Sequence, residues 1–381
     1  MFSRKLTLTI VAVMLCGFVL KSEAQTTSVF TAGLSQPTKI MLTPQGDLLV
    51  TETLGPPNSG RVSIIDRNGN RRTLIDGLPS GISPAGPSGP TGLDMRGSTL
   101  FVAIGEGDGT VAGPIPGTQL ANPNPSSPLL SSVLAIDFSS NTGRMPQGFS
   151  LSMDDQFTLA FGGEVRLSNG TRRTITVKLL ADFPNFVPNP IQPLPTNVRN
   201  SNPFALVVGG NDLFITNAGL NSVVKVNIAS GNWQTLTTFP PRPNPLPFGP
   251  PVIDAVPDGI RIAGGQLLVT LLTGFPFVPG LSEVRLVNTE TGGNSTFISG
   301  RSSAIDVLGG NTSTQHYVLE FSTNFLANAP GQLLLFQSPT SAPTVVAGGL
   351  ISPTGMARDA VSGDIYITEV FTGRIVRVSG F

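Results

Sequence analysis

Four side chains that could hold a cation or carry a proton recur at one place in this chain's phrasing. Glu52, Asn217, Glu320 and Glu369 each close a short apolar run, namely LLVTE, LFITN, HYVLE and IYITE. A fifth, Asp258, sits in Pro257-Asp258-Gly259-Ile260, where another run opens. Gathered at one point, their oxygens could ligate a hard cation such as Ca²⁺, with Asp258, Glu52 and Asn217 as the first ligands to consider. Mutual repulsion could instead hold one carboxyl protonated. The plainer use is structural, each oxygen accepting a backbone N–H from a neighbouring loop. A second set is aromatic: Phe186, Phe248, Phe275 and Phe277 lie in the proline-rich segments PNFVPNPIQPLP (184–195), PPRPNPLPFGPP (240–251) and TGFPFVPG (273–280). Such rings could rim a stiff apolar cup for a flat, aromatic or lipid-like ligand, or simply pack the loops onto the body of the fold.

The familiar catalytic sets are missing. The one histidine, His316, stands where parallel runs carry Leu or Ile, and the one cysteine, Cys16, lies in the N-terminal apolar run. No Ser-His-Asp or Cys-His nucleophile set and no zinc cluster can be assembled from these. The run Gly105-Glu106-Gly107-Asp108-Gly109 follows a strand and enters a Pro/Gly loop, so it resembles a calcium loop only weakly. With 23 basic against 23 acidic residues and no long block of like charge, nucleic acid and anionic membranes are poor partners. A small molecule or another exported protein suits the composition better.

A four-part phrase positions these residues. Strand A opens near Pro37, Pro90, Asn202, Pro257, Ser302 and Pro353; strand B near Leu48, Leu100, Leu213, Leu267, His316 and Ile365. Strand C opens near Arg61, Ser132, Ser222, Ser282, Gln332 and Arg374, and strand D near Arg72, Ile175, Trp233, Ser295 and Thr344. The sixth D phrase is at the other end of the chain, SVFTAGL (28–34). Four short antiparallel strands repeating at about 50 residues, with the N-terminal strand completing the last module, predict an all-β six-bladed β-propeller rather than a two-sheet sandwich. In such blades the D–A and B–C connections share one face, and here they are the long ones. Two columns then point at that mouth: the residues opening strand A (Thr38, Thr91, Phe204, Asp258, Ile305, Thr354) and those closing strand B (Glu52, Ile104, Asn217, Leu271, Glu320, Glu369).

Residues 1–24 read as a signal peptide. Arg4 and Lys5 precede the apolar run 6–20, and Ser22-Glu23-Ala24 offers a cleavage site, which implies a periplasmic or secreted mature chain without a transmembrane segment. Residues 25–381 are then one propeller, with an insertion in blade 2 at about 139–173 expected to hold a hairpin, QFTLAF against EVRLSNGTRR, turning at Asn169-Gly170.

These phrases resemble the ScyD/ScyE-type secreted propellers across nearly the whole mature chain. The most specific stretch is 180–288, with LLADF, SNPFAL, NDLFITNAGLNSVVKVN, TTFPPRP, PDGI and LLTGFPF–PG. The first and last modules, GLSQPTKIMLTPQGDLLVTET and GLISPTGM…GDIYITE, also fit. The departures are Thr38-Lys39, Leu271 and the enlarged blade 2. The resemblance implies a six-bladed, TolB-like (NHL-like) propeller and no particular reaction. Pro257-Asp258-Gly259 is similar to a metal-binding motif of regucalcin/gluconolactonase-type propellers, but Phe204 and Thr38 replace its other ligands. The expectation is an exported protein that binds an apolar ligand or an envelope partner on the long-loop face. A carboxylate- or Ca²⁺-dependent hydrolase and a structural surface-assembly module are the alternatives.

Overall fold

A computed structural model describes residues 25–53, 55–139, 145–171 and 173–381. Residues 1–24, which the sequence reads as a signal peptide, and part of the blade 2 insertion lie outside them. Six four-stranded units follow in order around a ring. Their innermost strands, A, are Pro37–Leu42, Pro90–Arg96, Pro203–Gly209, Pro257–Ala263, Ala304–Gly309 and Pro353–Arg358. Blade 6 is closed by the N-terminal strand Thr26–Ala32, which pairs antiparallel with Arg374–Ser379. Closure of this kind ties the two ends of the ring and leaves few free sheet edges.

Strand alternation explains the packing. Successive side chains point to opposite faces of a strand. Leu49 therefore faces blade 2, while Leu48 and Val50 face blade 6. Repeated in each blade, this alternation yields six apolar clusters among the described residues, one per gap between neighbouring blades. Each fully buried Leu, Ile or Val contributes about 1.5–3 kcal/mol by leaving water.

The insertion departs from the expected hairpin. Gln156–Ala160 are not strand but part of a helix, Met153–Ala160, capped by Ser152 and Asp155 in a reciprocal box. The turn at Asn169-Gly170 is present, yet it joins Glu164–Ser168 to Thr174–Asp182, strand D itself. Phe149–Ser150 adds a parallel strand to the outer edge of blade 1. Phe149, Leu151 and Leu159 fill the rim of the blade 1/blade 2 gap, so the insertion clamps two blades together.

Every strand A begins with a register shift against strand B. Threonines near the end of strand B satisfy the distorted backbone and reach the next blade: Thr51 Oγ1 accepts from Lys39 N (3.0 Å) and donates to Thr91 O (2.6 Å). Thr216 does the same with Ala205 N (3.0 Å) and Asp258 O (2.7 Å). Three glycines at the third position of strand A are required by crowding at the axis. A Cβ on Gly92, Gly259 or Gly355 would lie 2.7–3.1 Å from the backbone of Ala205, Asp306 or Lys39 in the next blade.

Candidate functional site

The inner strands enclose an axial funnel of about 340 Å³ that opens on the face of the D–A and B–C connections. All six strand-A openers, Thr38, Thr91, Phe204, Asp258, Ile305 and Thr354, line it. The strand-B column does not. The residues one place further on line the wall instead: Thr53, Ala218, Leu272, Phe321 and Val370.

The four polar B-strand closers are buried and turned towards the connectors. Glu52 accepts Ser35 N–H (2.6 Å) and the hydroxyl of Ser63, and pairs with Arg71 at 2.8 Å. Asn217 accepts Asn202 N–H (2.9 Å), Glu320 accepts Ser302 N–H (2.9 Å) and Glu369 accepts Ile351 N–H (2.7 Å). The same bond therefore recurs in four blades, fastening the D–A connector as it enters strand A. This is the structural use that the sequence left open. For Ca²⁺ the donor set does not fit, because Glu52 and Asn217 face the connectors while Asp258 faces the funnel. Among the described residues no three acidic or histidine side chains gather at one point.

Asp258 is 2% exposed, and its Oδ2 has no hydrogen-bond partner. Burial pushes its carboxyl up to about 8, against the pull of Lys39 and with a further push from Asp306. Lys39 is buried too, and desolvation lowers its pKa against the attraction of Asp306 and Asp258. Its ammonium donates to Thr354 O (2.7 Å) and Ile305 O (3.2 Å) and lies 4.9 Å from the Phe204 ring centre. Asp306 is spent on Arg261 (2.9 Å) and Met356 N–H (3.0 Å). Asp258 is thus the acid of this axial group that the fold leaves unpaired.

Glu106 is a funnel-lining residue that the sequence offered only as part of a weak calcium-loop resemblance. It lines the funnel at 3% exposure, accepts from Asn200 and Ser83, and burial raises its carboxyl to about 7. The signal was present in Gly105-Glu106-Gly107. A Cβ at Gly105 would lie 2.6 Å from Ser88 Oγ, so the glycine lets the chain turn in towards the axis. Asp108, the other acid of that run, is engaged by Ser126 N (2.9 Å) and Oγ (2.8 Å).

The aromatic rim is longer than expected and lies on one side. Phe248, Phe275, Phe277, Phe325, Phe321 and Phe371 form a continuous file with ring centres 4.2–6.5 Å apart. Phe277, Phe321, Phe325 and Phe371 line the funnel, while Phe248 and Phe275 extend the file outward. Phe186 stands apart, in the hairpin Phe186–Pro188/Val198–Asn200. His316 is a strand residue whose Nδ1 lies 3.0 Å from Thr314 O, with its ring edge-on to Phe297. No helix among the described residues is long and apolar enough to cross a membrane.

No family model and no curated protein matches the chain. Solved structures do. The PQQ-bound aldose sugar dehydrogenase of Streptomyces coelicolor is 13% identical, with 93% of this chain and 98% of that one covered and a TM-score of 0.52. A putative oxidoreductase (glucose dehydrogenase) of Thermus thermophilus is 14% identical, with 93% and 100% covered and a TM-score of 0.50. A streptogramin B lyase structure is 15% identical, with 93% and 97% covered and a TM-score of 0.47. At such identities the likeness to the two dehydrogenase structures speaks to architecture alone, and it agrees with the six-bladed β-propeller that the blade order above shows.

Proposed function

We propose that this protein is an exported propeller of the ScyD/ScyE type that holds a small, largely apolar or aromatic ligand in its axial funnel. The observation carrying this reading is the convergence of all six strand-A openers and four rings of the phenylalanine file on one cavity of about 340 Å³. Apolar walls with a few polar groups are what a small-molecule site requires. The flat rings of Phe277 and Phe325, 4.2 Å apart, offer the contact surface, and Asp258 supplies the polar group at the wall. Titration with 2-naphthol, followed by its own fluorescence, tests this. Saturable binding that Phe277→Asp abolishes and Phe161→Asp, on the remote insertion, leaves intact supports the reading. Equal binding by wild type and Phe277→Asp contradicts it.

One observation favours a second reading, a hydrolase working with a funnel acid: the unpaired Oδ2 of buried Asp258. A carboxyl kept neutral near pH 7 can donate a proton to a leaving oxygen. That reading requires ester or lactone turnover that disappears in Asp258→Asn, and unchanged turnover in the variant removes it.

A further inference from the structure

A second cavity opens off the funnel and has the opposite chemistry. It measures about 310 Å³ and shares Ala85, Glu106, Asn202, Ala218 and Val256 with the funnel, so the two are joined along one wall. Its other walls carry Gln119, Asn189, Asn197, Asn200 and the Arg199–Asp254 pair. Two small hairpins build it, Thr110–Ala112/Gln119–Ala121 and Phe186–Pro188/Val198–Asn200. Asn197 fastens them together, accepting Gln119 N–H (2.9 Å) and donating to Asn189 O (2.7 Å). A site held in shape by one buried side chain is pre-formed rather than assembled by chance contact.

The charges in this cleft are already satisfied. Arg199 donates to Asp254 Oδ1 at 2.9 Å and to Gly219 O, and Asn221 donates to the same Asp254 oxygen at 2.8 Å. Glu106 is held by Asn200 and Ser83. A charged ligand would have to break one of these pairs and leave its partner uncompensated. Neutral amide groups remain. Asn202 uses its Oδ1 on Glu106 N–H (3.4 Å) and keeps its NH₂; Gln119 uses its Oε1 on the Thr110 hydroxyl (3.3 Å) and keeps its NH₂. Asn200 keeps its carbonyl oxygen, and among the described residues no hydrogen bond engages the Asn189 amide. Side-chain amides present donors and acceptors together, as a hydroxyl does, so a row of them matches a hydroxyl-bearing neutral group.

We propose that the ligand is bipartite: its apolar or aromatic body lies in the funnel, and a neutral, hydroxyl-rich appendage such as a glycosyl group enters the side cleft, where Gln119, Asn189, Asn200 and Asn202 bind its hydroxyls. This rests on the funnel reading and narrows the ligand class to aryl or alkyl glycosides and similar polyol conjugates.

The test compares 2-naphthol with 2-naphthyl β-D-glucopyranoside, each titrated into the mature protein. The glucoside is expected to bind at least about ten-fold more tightly, the gain that two ordinary hydrogen bonds supply. Gln119→Leu and Asn189→Leu, neither of which touches the funnel, are each expected to lower glucoside affinity by about three- to ten-fold and leave 2-naphthol affinity unchanged. Equal affinity of the two probes for wild type, or glucoside affinity unmoved in both variants, overturns the bipartite ligand while leaving the funnel standing. Binding of neither probe overturns the funnel reading and this inference with it.

Discussion

The residue that closes strand B and the residue that follows it differ by one step of the pleat and by everything in their surroundings. Glu52, Asn217, Glu320 and Glu369 turn away from the axis and accept the N–H of a connector. Thr53, Ala218, Phe321 and Val370, one place on, face the funnel. Because side chains alternate with period two, a shift of one residue moves a column from the wall of a site to its scaffold. The strand-B closers therefore build the mouth of the funnel without lining it. This contrast shows that polar residues at matching blade positions are evidence of a repeated backbone bond before they are evidence of a shared ligand.

The largest expected effect belongs to the scaffold column. Glu369, itself 0% exposed, accepts Ile351 N–H (2.7 Å) and the Thr372 hydroxyl (3.0 Å) and pairs with Arg374. Glu369→Ala strands these partners and should cost about 3 kcal/mol in urea unfolding, with probe affinity unchanged in the protein that remains folded. A fully stable variant that has lost binding would reverse the two columns. Next comes the wall: Phe277→Ala should weaken 2-naphthol about ten-fold, or about 1.4 kcal/mol, while unfolding shifts by less than that because Phe277 is only half-buried.

The third prediction concerns pH. The fold favours the neutral form of Asp258, so its contribution is complete below the ordinary value of 3.8 and is lost as pH climbs to about 8. Glu106 acts in the same sense, from 4.5 to about 7. Urea midpoints should therefore decline between about pH 5 and 8, and the decline should be shallower in Asp258→Asn. A steeper or unaltered slope in the variant would mean that Asp258 is paired. The smallest effect expected is that of chelation. EDTA followed by Ca²⁺ should leave the melting temperature within about 1 °C, since a ligand bound only to the native state would raise it. A reversible fall of several degrees would put a metal where the geometry finds none.

Much of this was legible in the sequence because it is carried by period and punctuation. The four-part phrase gave the six blades, the displaced SVFTAGL gave the closing strand, and loop lengths gave the face on which the funnel opens. The strand-A openers line the funnel as their column suggested, because Pro at the start of five of the six runs marks the register and Ser302-Ser303-Ala304 keeps it in the other. The strand-B column was misjudged for its surroundings: every strand A begins with a bulge, and nothing in the residue types says on which side of it the neighbouring side chain emerges. Phe321, Phe325 and Phe371 were overlooked because they lie in connections without the proline signature, and Glu106 because its Gly-rich run was weighed only as a calcium loop. The helix Met153–Ala160 was missed because eight residues with four apolar ones read equally well as a strand; the Ser152/Asp155 box was the cue.

The most direct test of the funnel as the binding site is to fill it without touching the scaffold. Val370 lines the funnel and is half-buried, and its backbone N–H already bonds Ser352 O at 3.2 Å. Val370→Trp places an indole in the cavity and removes no hydrogen bond. Measured side by side, 2-naphthol binding should vanish while the melting temperature stays within about 2 °C of wild type. Undiminished binding in a folded Val370→Trp protein would contradict the account and place the ligand elsewhere.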